Sequence, residues 1–390
     1  MKKMLAIFLA AMLTVLCCSA AFAEETPRKG GELVVAMSFE PDTLNVYATH
    51  LMGDIQAMIV EGLLVPNGDM EYEPVLATEV PTVENGGIVM NDDGTMDITY
   101  HLVDNVYWHC GEKFTSHDVL VTWETLHDEA WDCESKDGVY DIDSIECPDD
   151  LTVVCHYNTV TPDFAQTLFT FGIMPAHDIE GADMNDPNNA YNSSPCGTGP
   201  YKFVEWNAGE NIKLARNENY WREGAYMDGV TILFVPDENT RITMLKSGEI
   251  DFTAGISYIN YEQVKDLPGY NTVIHGLNSW RYLTMNWKAP GLDNVNVRRA
   301  ISCAIDKDSM VNQLFAGLPT AWDQPWMPTD PYHVEDFTSE WSYDVDKANA
   351  LLDEAGYTLG SDGVRVNADG TRLEYTLITR TGQTDVILAA

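Results

Sequence analysis

Apolar and polar positions alternate over several short runs in the first half of the chain. GELVVAM (31–37) and MDITYHL (96–102) carry the near period-two placement of strands, whose successive side chains point to opposite faces. IDSIEC (142–147) and LTVVCHY (151–157) flank Asp149 and Asp150 as the arms of a hairpin would. One helix interrupts these strands: after Thr115 and Ser116 as N-cap candidates, Val119, Trp123 and Leu126 fall on one face. The second half alternates strands with stronger helices. ENTRITMLKSG (238–248) predicts a helix closed by Gly248, after which Ile250 and Phe252 resume a strand. In NVNVRRAISCAIDK (294–307), Val297, Ala300, Ile301, Ala304 and Ile305 form the stripe of a helix laid on a sheet. DVDKANALLDEAGY (344–357) repeats the recipe, with Asp344 as N-cap and Gly356 as stop. The expected class is α/β, and the absence of a Pro/Ser-rich boundary predicts interleaved domains.

PCGTGPYKF (195–203) poses a sharper question, because glycines flank Thr198 and Pro200 follows. A phosphate loop needs G-x-x-x-x-G-K-[ST], or G-x-G-x-x-G opening a helix, and neither is present. Pro200 removes an N–H donor and pushes Gly199 toward extended geometry. Tyr201, Phe203 and Trp206 then read as an entering strand. The stretch is expected to be a backbone corner.

The N-terminal segment has Lys2 and Lys3, an apolar run from Met4 to Leu16, and Ala21 and Ala23 around Phe22. Residues 1–23 read as a secretory signal, since the run is shorter than the roughly 20 residues that span a bilayer. Lipidation at Cys17 or Cys18 is not expected, because Leu16 and Cys17 stand where lipoprotein signals carry small residues. A formal net charge of −39 makes a surface that repels nucleic acid and anionic lipid, so neither is expected as a partner. Six cysteines follow the signal, at 110, 133, 147, 155, 196 and 303, and in an exported chain an even number points to disulfides. Cys147 and Cys155 flank the PDD turn and could face each other; free buried thiols are the alternative. The nine histidines never fall at metal-ligand spacing, zincin and G-x-S-x-G motifs are absent, and NDDG (91–94) and NADG (367–370) read as turns rather than calcium loops. No metal, cofactor or catalytic residue is expected. A large exported chain without catalytic spacing suggests a binder.

Several segments together resemble one family, the extracytoplasmic solute-binding proteins of ABC transporters of the oligopeptide, dipeptide and nickel type (family 5). GTGPYKF with KLARNENYW (213–221) is similar to its most distinctive internal signature. GGELVVAMSFEPDTLN (30–45), VEGLLVPN (60–67), PVLATE (74–79), HLVDNVYWHCGEKFTSHDVLVTWE (101–124), MLKSGEIDF (244–252), NVRRAISCAIDKDSMV (296–311) and YDVDKANALLDEAGY (343–357) continue it in order. Val103 stands where the family usually has arginine, and Cys110 replaces a polar residue. The resemblance implies a two-lobed periplasmic-binding-protein (Venus flytrap) fold that closes on solute by a hinge. It implies a first-lobe main domain of residues 24–47 and 165–275, an accessory domain of 48–164, and a second lobe of 276–390. Family chains run further, so this sequence is expected to be a truncated record with an incomplete second lobe.

By the same resemblance the chain is expected to be a monomeric periplasmic or extracytoplasmic receptor, not an enzyme. It would capture a short peptide and deliver it to an ABC transporter permease. Ser38 and Phe39, after the first strand, and Trp280 and Tyr282, where the chain crosses into the second lobe, are candidate ligand contacts; ordinary packing is the alternative for each. Arg380 follows LEYTLIT (373–379), whose Leu373, Tyr375 and Leu377 alternate as a strand. It is the candidate partner of a peptide carboxylate, or else a surface arginine bridging a neighbouring acid. Two other readings stay open: the same scaffold carrying a nickel chelate, haem or oligosaccharide, and a secreted hydrolase that uses acidic residues.

Overall fold

The computed structural model describes residues 28–378 apart from 50–53, 70, 163, 165–167, 275, 277–279, 329 and 331. The signal segment and Arg380 lie outside the described residues. The chain forms two compact units, each discontinuous in sequence: Met1–Val35, Glu40–Leu64 and Pro74–Leu233 make the first, and Ala36–Phe39, Val65–Glu73 and Phe234–Ala390 the second. The first strands are β1 (Glu32–Met37), β2 (Leu64–Pro66) and β3 (Tyr72–Pro74), with β2 and β3 paired as a ribbon.

In the first unit, β4 (Ile88–Met90), β5 (Met96–His101), β6 (Ile142–Asp149) and β7 (Thr152–Tyr157) form an antiparallel sheet in the order β4-β5-β7-β6. Alternation sets its faces. Met96, Ile98 and Tyr100 of β5 stand directly opposite Tyr157, Cys155 and Val153 of β7, and all six are buried. The β4–β5 turn is NDDG, with Gly94 at φ 90° donating to Asn91 O at 3.1 Å, a conformation that glycine adopts without a Cβ penalty. The β6–β7 hairpin forms as expected, but the cysteine pair does not. Cys155 stands opposite Ile145 and Val154 opposite Glu146, so Cys147 is out of register with Cys155, and its Sγ instead donates to Ser116 O at 3.3 Å. All six cysteines of the described residues are free thiols.

Helix α1 (Gln56–Ile59) is short, whereas α2 (Ser116–His127) buries Val119 and Leu126 and opens with a capping box between Thr115 and Asp118. Asp118 is itself buried; its Oδ2 accepts from Thr115 N at 2.8 Å and its Oδ1 from Ala176 N at 2.9 Å. It therefore ties the start of α2 to the start of α3 (Ala176–Ile179). After α4 (Ala190–Ser193) comes β8 (Tyr201–Asn207), the strand anticipated from Tyr201, Phe203 and Trp206; it runs antiparallel to β9 (Asn211–Arg216), and β9 to β10 (Gly229–Phe234). β1 lies beside β10. Asp228 N donates to Gly31 O and Val235 N to Met37 O, so these two strands run parallel.

The second unit holds α5 (Glu238–Ser247), β11 (Phe252–Thr253), α6 (Tyr261–Val264), α7 (Val295–Ala304), α8 (Lys307–Leu314), α9 (Val345–Glu354) and the small hairpin of β12 (Thr358–Leu359) and β13 (Arg365–Val366). Gly248 ends α5 at φ 74°, and Asp344 caps α9 by accepting from Lys347 N at 2.9 Å. Helix α7 departs from its expected partner. Its Ala300 and Cys303 pack on Ala348 and Leu351 of α9, not on a sheet. It also stops earlier, since Asp306 accepts from Ser309 N at 2.9 Å and starts α8, leaving Ile305 as the C-cap of α7. The strand expected from Leu373 to Leu377 is absent from the described residues: Leu373 packs beside Leu292 and Tyr357, Tyr375 OH reaches Pro290 O at 2.9 Å, and Leu377 is exposed.

Candidate functional site

The GTG corner closes on the end of α1. A Cβ on Gly197 would lie 1.8 Å from Ile59 O, and one on Gly199 2.6 Å from Met58 O. Gly199 N donates to Ile59 O at 2.9 Å. Neither glycine has positive φ, so close approach of two backbones, not turn geometry, demands them. Thr198 between them donates to Glu61 Oε2 at 3.0 Å. Glu61, 8% exposed, also accepts from Tyr220 OH at 2.5 Å, Trp221 Nε1 at 3.1 Å and Arg222 at 3.3 Å. Burial and the Glu61 charge together push the Tyr220 hydroxyl upward. The corner is thus a structural clamp whose acidic hub is fully engaged; sequence pattern did not single out Glu61, because its four donors lie on distant segments.

His109 completes that clamp. Its Nε2 lies 2.9 Å from Gly199 O and its Nδ1 accepts from Gly197 N at 3.3 Å, so the ring is neutral with its proton on Nε2. Burial lowers its pKa to about 4, in keeping with that state. Cys110 and Cys196 flank this contact, and His177 of α3 comes up beside them, with Cys110 Sγ 3.2 Å from His177 Nε2. The ligand atoms of Cys110, His177 and Cys196 all lie within 4.8 Å of one another. Burial pushes the Cys196 thiol up to about 12. Histidine and cysteine spacing along the chain excluded such a group; folding assembles it from three separate segments.

The candidate ligand contacts lie in the second unit. Ser38 and Phe39 are exposed just past the end of β1, Phe39 by 37%. Trp280 and Tyr282 stack on each other at 4.4 Å between ring centroids and remain 49% and 68% exposed, so neither ring fills a core. Among the described residues no ring contact joins Phe39 to either of them. A half-open groove of ≈ 290 Å³ in the first unit is bordered by Glu124, Asp128, Glu180 and Asp183, a lining that repels a carboxylate ligand.

The model of the bacterial extracellular solute-binding proteins, family 5 (middle region), matches residues 71–390. The chain belongs to that family. Family 5 members are extracytoplasmic, non-enzymatic transport receptors, and the α/β fold is that of their two-lobed periplasmic binding proteins. Protein XP55 of Streptomyces lividans is 30% identical over 355 residues, 90% of this chain and 61% of that protein. The oligopeptide-binding protein AppA of Bacillus subtilis is 27% identical over 363 residues, 91% of this chain and 65% of AppA. This family 5 chain therefore spans less than two thirds of the length of these relatives. The structure of B. subtilis AppA in complex with a nonapeptide matches with a TM-score of 0.77 at 25% identity, over 93% of this chain and 72% of that one. NikZ from Campylobacter jejuni in complex with Ni(L-His) matches with a TM-score of 0.76 at 26% identity, over 88% and 66%. Among the described residues no helix is long and apolar enough to cross a membrane.

Proposed function

We propose that this family 5 protein is the extracytoplasmic receptor of an ABC import system, capturing a short peptide and delivering it to a membrane permease. The observation that supports it most is the family match across residues 71–390, shared with a relative that binds oligopeptides. The exposed rings of Phe39, Trp280 and Tyr282 add apolar surface of the kind that covers peptide side chains. On this reading residues 1–23 direct export, the protein acts as a monomer without enzymatic turnover, and residues 24–47 with 165–275, 48–164 and 276–390 are its domains. Calorimetric titration of the protein as its host makes it, against di- to pentapeptides, tests the reading. Saturable heat with a peptide at one site per chain supports it; heat only with another solute, or catalytic consumption of a fluorogenic peptide or glycoside, overturns it. A metal chelate is the second reading, favoured by the likeness to NikZ bound to Ni(L-His). Native mass spectrometry of co-purified solute separates the two.

A further inference from the structure

We propose that Cys110, His177 and Cys196 bind one divalent transition-metal ion, zinc above all, with water completing the coordination. Two thiol sulfurs and an imidazole nitrogen form a donor set that selects zinc and its neighbours over magnesium or calcium, which take oxygen ligands. Around a tetrahedral zinc, bonds of about 2.3 Å to sulfur and 2.0 Å to nitrogen hold the ligand atoms about 3.6–3.8 Å apart. The group sits close to that spacing without yet matching it: Cys110 Sγ and His177 Nε2 are 3.2 Å apart, and no two ligand atoms are more than 4.8 Å apart. Small side-chain rotations close it.

The surroundings hold each ligand in place. Cys110 rides a tight turn in which Gly111 N donates to Trp108 O at 2.8 Å, with Gly111 at φ 99°. Cys196 is fixed opposite it, because His109 N donates to Gly197 O at 2.8 Å and places residues 110 and 196 on facing strands of backbone. His177 is positioned by the Asp118 contact to Ala176 N and by the edge of Trp108, 6.1 Å from its ring. His109 itself is committed to backbone partners on both nitrogens and is not a ligand. All three residues lie within the first unit. Cys110 and His177 are exposed, which leaves the ion a route in and room for a water. Once bound, the ion cross-links the 108–111 turn, α3 and the GTG corner.

Titration of the reduced, metal-free full chain with Co²⁺ tests this. The expected result is one equivalent of Co²⁺ with a thiolate-to-cobalt charge-transfer band and the strong visible bands of a four-coordinate ion, displaced by Zn²⁺. Cys110→Ser and Cys196→Ser should each weaken Co²⁺ binding by more than about 100-fold, and His177→Ala by at least about 10-fold. Cys147→Ser should bind as the parent does. Because Cys110 is exposed, Cys110→Ser should keep the metal-free melting temperature and carries the test if Cys196→Ser does not fold. Absence of the charge-transfer band with all thiols reduced, or its persistence in both cysteine variants, overturns the site. So does a Cys110–Cys196 disulfide that stays closed under conditions reducing enough to keep the other thiols free.

Discussion

Replacing Gly197 by alanine puts the close approach of the corner and α1 to a direct test. The added Cβ falls 1.8 Å from Ile59 O and 2.6 Å from Ile59 C, both backbone atoms that cannot swing aside as a side-chain tip would. Overpacking of this kind costs about 1–3 kcal/mol. Separating the two segments also strains the Gly199 N to Ile59 O bond, worth about 1 kcal/mol net, and the Thr198 hydroxyl bond to the buried Glu61 carboxylate, worth about 1.5–3 kcal/mol. Partial relaxation keeps the losses from adding fully, so the expected destabilisation is about 3–5 kcal/mol. Equilibrium urea unfolding should show a lower midpoint at unchanged slope, with amide exchange accelerating in peptides covering 55–63 and 195–203. Gly68→Ala is the control, since a Cβ there meets nothing within 4 Å, and it should stay within about 0.5 kcal/mol of the parent. A loss below about 1 kcal/mol for Gly197→Ala would refute the reasoning: the two backbones would then be free to part.

Glu61→Gln turns an acceptor of four donors into a group that presents its own N–H to some of them, and should cost about 2–4 kcal/mol in urea unfolding; a loss under 1 kcal/mol would mean the hub rearranges freely. The hydrogen bond from His156, 2.7 Å away, holds the Asp97 carboxyl below the ordinary carboxylate range, against the opposing effect of burial. The folded state therefore resists protonating Asp97, and the stability it adds is complete above about pH 4 and lost as pH falls through its lowered value. The midpoint gap between the parent and Asp97→Asn should narrow below about pH 4, and a gap constant from pH 6 downward counts against this. In binding, Phe39→Ala should weaken peptide affinity while leaving the melting temperature nearly unchanged; equal loss of both assigns Phe39 to packing. Arg380→Ala should cost about 2–5 kcal/mol for a free peptide and far less for its C-terminal amide, whereas equal effects on the two ligands would remove Arg380 as the carboxylate anchor.

What the sequence disclosed depended on the range of the interaction. The β5 and β7 strands, the β6–β7 hairpin and the caps at Thr115, Asp344 and Gly248 are set by neighbours within a few residues, and all were legible. The GTG corner was legible as a corner, but its cause was not, since Ile59 lies far away in sequence. Helix α7 was legible as an amphipathic helix, while the identity of its partner was not, because a stripe of small apolar residues suits a helix as well as a sheet. The Cys110–His177–Cys196 group left no trace in spacing, as its members lie on three segments joined only by the fold. Of the candidate ligand contacts, residue chemistry marked Phe39, Trp280 and Tyr282 as large aromatics, and only the structure shows that all three face solvent.

The parallel pairing of β1 with β10 has a consequence for how the chain reaches its native state. Gly31 and Asp228 are bonded although they lie 197 positions apart in sequence, so the strand made first has no neighbour on that side until most of the chain exists. At a synthesis rate of about 5–20 residues per second, β1 waits roughly 10–40 s for β10. Contacts of such separation are slow to form even after the chain is complete, because loop closure is met before any of their stabilisation returns. Through that interval the apolar ELVVAM segment offers an open hydrogen-bonding edge to any passing strand, its own copies included. The nascent chain is therefore a natural client for a holding chaperone, and a ribosome-arrested chain ending before residue 229 should bind one far more tightly than a chain released at full length.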